Sequence, residues 1–163
     1  MVTMSQQFNS RGAITRDDWE TPKSILDALG LFDLDPAASR KYPTRCAKVG
    51  YCENGLSREW RGRVWLNPPY GTQALLWLKR LAEHGNGIAL IIPRLGSKWF
   101  HEIVLAHCAG ILFVKGRIAF IHPETRKPVA GNVADSILVA FGGANVNILI
   151  ASSIDGIVWD MRG

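Results

Sequence analysis

The sequence predicts an α/β fold: a mostly parallel sheet with an antiparallel C-terminal edge. Three observations lead there. First, the middle of the chain alternates apolar runs with amphipathic stretches, reading strand at 63–66, helix at 72–84, strand at 88–92, helix at 97–107 and strand at 111–114. That alternation is the pattern of right-handed βαβ units. Second, the run 88–92 is apolar throughout, as expected of a strand buried on both faces. Third, the tail changes character. Strands are expected at 116–121 and 136–141, joined by a polar loop, and 147–151 with 156–159 read as a closing hairpin.

Each element has a local reason. Thr21 is a good N-cap and Pro22 is tolerated at the first helical position, so a helix is expected to open there. Ile25, Leu26 and Leu29 share its inward face, and Gly30 closes it. A short strand at 31–34 then runs into Asp35-Pro36-Ala37-Ala38-Ser39. Residues 40–62 read as irregular, punctuated by Pro43, Gly50, Gly55 and Gly62. The helix at 72–84 has Leu75, Leu76, Leu78 and Leu81 as its apolar face. The helix at 97–107 turns Phe100, Ile103 and Val104 inward.

With 163 residues, 47% hydrophobic and 20% charged, the chain is expected to fold around a substantial core. The N-terminal segment MVTMSQQFNSRG is polar and lacks the apolar region of a signal peptide. Residues 1–17 therefore read as a flexible arm and 18–163 as one domain, with no separate block for target recognition. No apolar run approaches a membrane span, so none is expected. Cys46, Cys52 and Cys108 are read as reduced thiols in a cytoplasmic protein. Cys46 and Cys52 lack the partners that would complete a metal site, and the four histidines show neither metal-like nor triad-like spacing. The net charge of +5 favours an acidic partner. Basic side chains cluster at 40–45, 58–63, 115–117 and 126–127, and a solvated face is the plain alternative for about half of them.

The most informative stretch is Val64-Trp65-Leu66-Asn67-Pro68-Pro69-Tyr70-Gly71. Two prolines must end a strand, and in an open α/β sheet ligands sit beyond the carboxyl ends of the strands. The Asn67 side-chain oxygen and the Pro68 carbonyl are two acceptors, and Tyr70 is a flat ring. Together they suit a planar ring with an exocyclic amino group. Its lone pair is delocalised into the ring, and two acceptors on the N–H groups localise it for attack on an electrophilic methyl carbon. A base inside a duplex would first have to leave the stack. The plain alternative is a strand-ending turn with no chemistry.

The set DDWETP, FDLDPAAS, WLNPPYG and IIPRLGSKWF resembles the phage-type, Dam-like DNA N6-adenine methyltransferases, from Asp18 to about Phe141. The resemblance implies a truncated Rossmann-like methyltransferase sheet, S-adenosyl-L-methionine as cofactor, DNA as partner, and a role in evading restriction within a host cytoplasm. It places Asn67, Pro68, Pro69 and Tyr70 at the catalytic site. It places Thr21 and Pro22 near the methionine end of the cofactor. Asp35, followed by Pro36, falls where these enzymes hold the methionine ammonium, with Asp33 as the competing carboxylate; the glycines usual in that loop are absent. Trp19 is a candidate for covering the cofactor adenine or a staple for the helix. Glu53 is a candidate for the ribose hydroxyls or part of a solvated loop. Asn67 also borders the cofactor. Arg94, Lys98 and Arg117 are candidate phosphate contacts, and Trp99 a candidate for meeting a base.

The expected activity is methylation of adenine N6 in DNA with short or relaxed sequence preference, since few loops are on hand to read bases. RNA adenine or a protein glutamine are alternative substrates for the same turn. A decayed module that only grips nucleic acid is the non-enzymatic alternative.

Overall fold

The structure is a computed structural model that describes residues 19–69, 71–129 and 134–163. The expected N-terminal arm and Tyr70 lie outside the described residues.

A seven-stranded mixed sheet organises the chain. Its strands are β1 (Phe32–Asp35), β2 (Ala47–Gly50), β3 (Val64–Leu66), β4 (Gly87–Ile91), β5 (Gly110–Val114), β6 (Ile137–Phe141) and β7 (Gly156–Asp160), in the spatial order β2-β1-β3-β4-β6-β5-β7. β2, β1, β3 and β4 run parallel. β6 enters antiparallel between β4 and β5, and β7 is antiparallel to β5. The expectation of a mostly parallel sheet with an antiparallel C-terminal edge is met in part: β1 to β4 pair in parallel and β7 is an antiparallel edge, but antiparallel β6 lies inside the sheet, between β4 and β5.

Helices cover both faces. On one, α1 (Lys23–Leu29) and α3 (Gly143–Ala151) bring Leu26, Leu29, Val146 and Leu149 onto Phe32, Trp65, Ile88 and Leu90. On the other, α2 (Ala74–His84) and the π-helical segment Phe100–Leu105 bring Trp77, Leu78, Leu81, Phe100 and Val104 onto Leu66, Ala89, Ile91 and Val139. The alternation along β4 is the period-two rule at work: Ile88 and Leu90 face one layer, Ala89 and Ile91 the other. All five residues of β4 are buried.

Several expectations are corrected. Residues 40–62 are not wholly irregular. They contain β2, which pairs in parallel with β1 through Phe32↔Ala47 and Leu34↔Val49. It is short, lies at the sheet edge and leaves Lys48 and Val49 exposed, so its composition carries little strand signal. Residues 116–121 do not form a strand; Ile121 alone makes isolated bridges, to Glu20 and Pro128. Both edges of β5 are already taken, by β6 and β7, so the following segment has no ladder to join. The expected hairpin at 147–151 is instead the end of α3, and β7 pairs with β5. A short apolar run fits helix and strand alike, and here the helix wins because it can bury Val146 and Leu149 against the sheet. On α2, Leu76 is 56% exposed, whereas Trp77 packs inward against Trp60.

Candidate functional site

The order of the strands places the site. From β1 the chain moves to β2 on one side, then returns to β3 on the other. The carboxyl ends of β1 and β3 therefore flank a topological switch point, where an open α/β sheet leaves a crevice for ligands. Asp35 is the last residue of β1, and Asn67 follows the last residue of β3. Leu34 pairs with Val64, so the two strands are direct neighbours.

Thr21 joins this pair from the other layer. It is not the N-cap of α1, as expected from sequence; Pro22 takes that position, without a side-chain cap. Thr21 is buried, and its hydroxyl lies 3.5 Å from Nδ2 of Asn67, the limit of a hydrogen bond. With the amide nitrogen turned towards Thr21, the Asn67 oxygen is left to accept from a ligand. Pro68 is buried and Pro69 half-buried.

Asp35 and Asp33, inseparable by sequence, have different surroundings. Asp33 accepts from Lys48 Nζ at 2.7 Å and from the Arg63 backbone N–H at 2.8 Å. The backbone bond first, then Lys48, holds its carboxyl below the usual range. Asp35 accepts only from the Ala37 N–H (3.1 Å) and the Cys46 thiol (3.6 Å) among the described residues. Burial pushes its carboxyl up to about 7, against the lowering effect of those two bonds. The same burial, with Asp35 beside it, pushes the Cys46 thiol up, so it stays protonated and donates. A half-buried carboxylate at a ligand crevice, with no cation beside it among the described residues, suits a ligand that carries one.

The loop after Asp35 lacks glycines of its own, but close approach is achieved from the opposite side. A Cβ on Gly55 would stand 1.8 Å from the Pro36 carbonyl oxygen, and one on Gly50 1.8 Å from that of Pro43. The 36–39 loop is further held by Ala38 N–H to Tyr51 O, and Tyr51 N–H to Asp35 O. Glu53 thus follows the carboxyl end of β2, beside that loop. Its carboxylate is exposed and paired with Arg40 at 2.6 Å.

A cavity of about 340 Å³ opens on the other side of the turn, between Pro68, Thr72, Leu75, Ile91, Arg94 and Trp99. Trp99 is half-buried there and meets Phe100 edge-on. Lys98 is exposed and loosely paired with Glu102 (3.6 Å). Arg117 is exposed on the segment after β5, and no described contact joins it to this group. Trp19 packs against the α1 core cluster with its indole N–H buried and unpartnered. The structure therefore brings together Thr21, Asp35, Asn67 and Pro68, with Arg94 and Trp99 across the turn. Glu20 is a residue that sequence reasoning missed: a buried carboxylate that accepts from both Arg45 and Arg126. A lone glutamate in a polar stretch carries no sign of such partners.

Among the described residues, no group of three or more His, Cys, Asp and Glu is placed to hold a metal. No described helix is long and apolar enough to cross a membrane.

The model of the DNA N-6-adenine-methyltransferase (Dam) family matches residues 10–155. The chain belongs to that family. A DNA N-6-adenine-methyltransferase of Escherichia phage T1 is 33% identical over an alignment of 148 residues. That alignment takes in 76% of this chain and 61% of the relative's length. No solved structure matches. The Dam family match spans every motif singled out above, from Trp19 to Trp99 and on through β6.

Proposed function

We propose that this chain transfers a methyl group from S-adenosyl-L-methionine to N6 of adenine in DNA. The observation that carries the proposal is the placing of Asn67 and Pro68 at the switch point, beside Thr21 and on the strand next to Asp35, which has no cation beside it among the described residues. The family match supports the same reading, as does the name of the phage T1 relative.

In this reading Asp35 holds the ammonium of the cofactor by a charge-assisted bond, and Thr21, Pro22, Pro36, Glu53 and Trp19 are assigned to the same cofactor. When bound, the cofactor supplies an electrophilic methyl group. The Asn67 oxygen and the Pro68 carbonyl accept the two N–H bonds of the target amine and localise its lone pair. Thr21 keeps the Asn67 amide turned so that its oxygen faces the amine. Tyr70 is assigned the face of the flipped ring, and Trp99 the wall of the cavity behind Pro68, whose volume falls in the range of small-ligand sites. Arg94, Lys98 and Arg117 are assigned to phosphates.

The sheet is read as a shortened Rossmann-like methyltransferase sheet, supported by the switch point at β1 and by β6 inserted antiparallel. Residues 18–163 are read as one domain, since the two core layers draw on side chains from Trp19 to Met161. A short or relaxed sequence preference completes the reading.

The deciding experiment compares wild type with Asn67→Ala, using labelled cofactor on unmethylated DNA, RNA and a protein extract. Wild type should label DNA. The variant should lose about 10²–10³ in kcat, the usual effect of removing one preorganised hydrogen-bonding group. Equal turnover by the two proteins, or label confined to RNA or protein, would overturn the assignment.

A further inference from the structure

Two basic clusters that lie some eighty residues apart in sequence meet in the fold. The first is Arg40, Lys41 and Arg45. The second is Arg126 and Lys127, on a tight turn closed by His122 N–H to Lys127 O (3.0 Å), Arg126 N–H to His122 O (2.9 Å) and Val129 N–H to Phe120 O (2.7 Å). Three features fasten the turn against the first cluster. Glu20 and Ile121 exchange backbone hydrogen bonds at 2.8 and 3.0 Å. The buried Glu20 carboxylate then bridges Arg45 and Arg126, the latter at 2.5 Å. Lys41 Nζ also reaches the Pro123 carbonyl at 3.4 Å.

The result is a cationic surface built round one aromatic ring. Tyr42, 38% exposed, has Arg126 4.7 Å and Lys41 5.6 Å from its ring centroid. Arg126 holds a left-handed backbone (φ 60°) to reach this place, a conformation uncommon outside glycine and a sign that the fold constrains it. Among the described residues, the acidic groups at the patch are Glu20, whose charge is spent internally, Glu124 on the same turn, and Glu53, paired with Arg40. Lys41 and Lys127 are exposed, and Arg126 is exposed but tied to Glu20. The patch borders the crevice. Arg45 precedes Cys46, which bonds Asp35, and Glu20 precedes Thr21, which meets Asn67.

We propose that this patch carries the phosphate backbone of the duplex that flanks the target nucleotide. Cations grouped round an exposed aromatic ring, beside a site that must receive a base, match the chemistry of a nucleic-acid strand. The inference rests on the reading of the chain as a DNA methyltransferase, and it names a contact surface separate from Arg94, Lys98 and Arg117. Glu20 ties the two loops, from distant parts of the sequence, to each other.

The test uses Lys41→Ala/Lys127→Ala, which spares the buried Glu20 bridge. Binding of a labelled 24-base-pair duplex is followed by fluorescence anisotropy from 50 to 300 mM salt. Each phosphate contact contributes about 0.9 to the slope of log affinity against log salt. The double variant should show a slope shallower by about 1.8 and an affinity at least tenfold lower at 100 mM salt. Melting temperature and calorimetric binding of S-adenosyl-L-methionine show that the fold persists. An unchanged slope and affinity would overturn the surface, as would a wild type with no salt-dependent DNA binding. The readout is binding rather than turnover, so an active Asn67→Ala would sink the catalytic reading without touching this one.

Discussion

Replacing Asp35 with Asn should make the protein more stable at neutral pH and poorer at binding its cofactor. Burial raises the Asp35 carboxyl from 3.8 to about 7, and the bonds from Ala37 and Cys46 do not offset it. Between these two values the folded chain holds a proton that the unfolded chain has released. Stability therefore falls as pH rises from about 4 to about 7; it is level below, where both states are protonated, and level above, where both are ionised. The gap is roughly three pH units at 1.36 kcal/mol each, so ionised Asp35 costs the free protein about 4 kcal/mol at most. Asn keeps the shape and cannot ionise. The difference in unfolding free energy between variant and wild type should thus grow in the variant's favour by a few kcal/mol from pH 4 to pH 8. Urea unfolding followed by tryptophan fluorescence at four pH values would measure it. Other titrating groups cancel in the difference. A cationic ligand beside Asp35 should restore the ionised form, so calorimetry near pH 6.5 should show proton release on cofactor binding, varying with the buffer's ionisation enthalpy. Parallel stability profiles for the two proteins, or binding heats that do not depend on buffer, would refute the reasoning.

Two further outcomes follow from the same geometry. Gly55→Ala places a methyl against the Pro36 carbonyl, so the 36–39 loop must shift; a loss of roughly 1–3 kcal/mol in chemical unfolding is expected, with weakened cofactor binding. Thr21→Val removes the hydroxyl that turns the Asn67 amide and should lower kcat about five- to tenfold, equivalent to about 1 kcal/mol, while Thr21→Ser keeps most of the rate; single-turnover kinetics would separate this from a change in cofactor affinity.

What was legible beforehand depended on local patterning. The all-apolar β4, the β3–α2–β4 unit and the proline turn after β3 were readable because each is specified by neighbours within a few residues. So was the placing of Asn67 at a strand end, since two prolines cannot continue a ladder. The misses share a cause. β2 is an edge strand whose pairing with β1 is not written in its composition. Residues 116–121 look like a strand but find both edges of β5 occupied. Asp33 and Asp35 share a strand face by period, and what tells them apart comes from elsewhere in the chain: Lys48 of β2 and the amide of Arg63, just ahead of β3, on Asp33, against the burial of Asp35.

The sequence by itself determined the chemistry on offer: two acceptors on a stiff turn, a carboxylate ending a strand, and an excess of cations. Tertiary structure decided which of these groups meet. It turned Thr21 from a helix cap to a neighbour of Asn67, left Asp35 without a cation among the described residues, and drew Arg45 and Arg126 onto one buried carboxylate. The physical reason is range. Strand and turn preferences act between adjacent residues, whereas desolvation and ion pairing depend on segments that become neighbours only when the sheet closes.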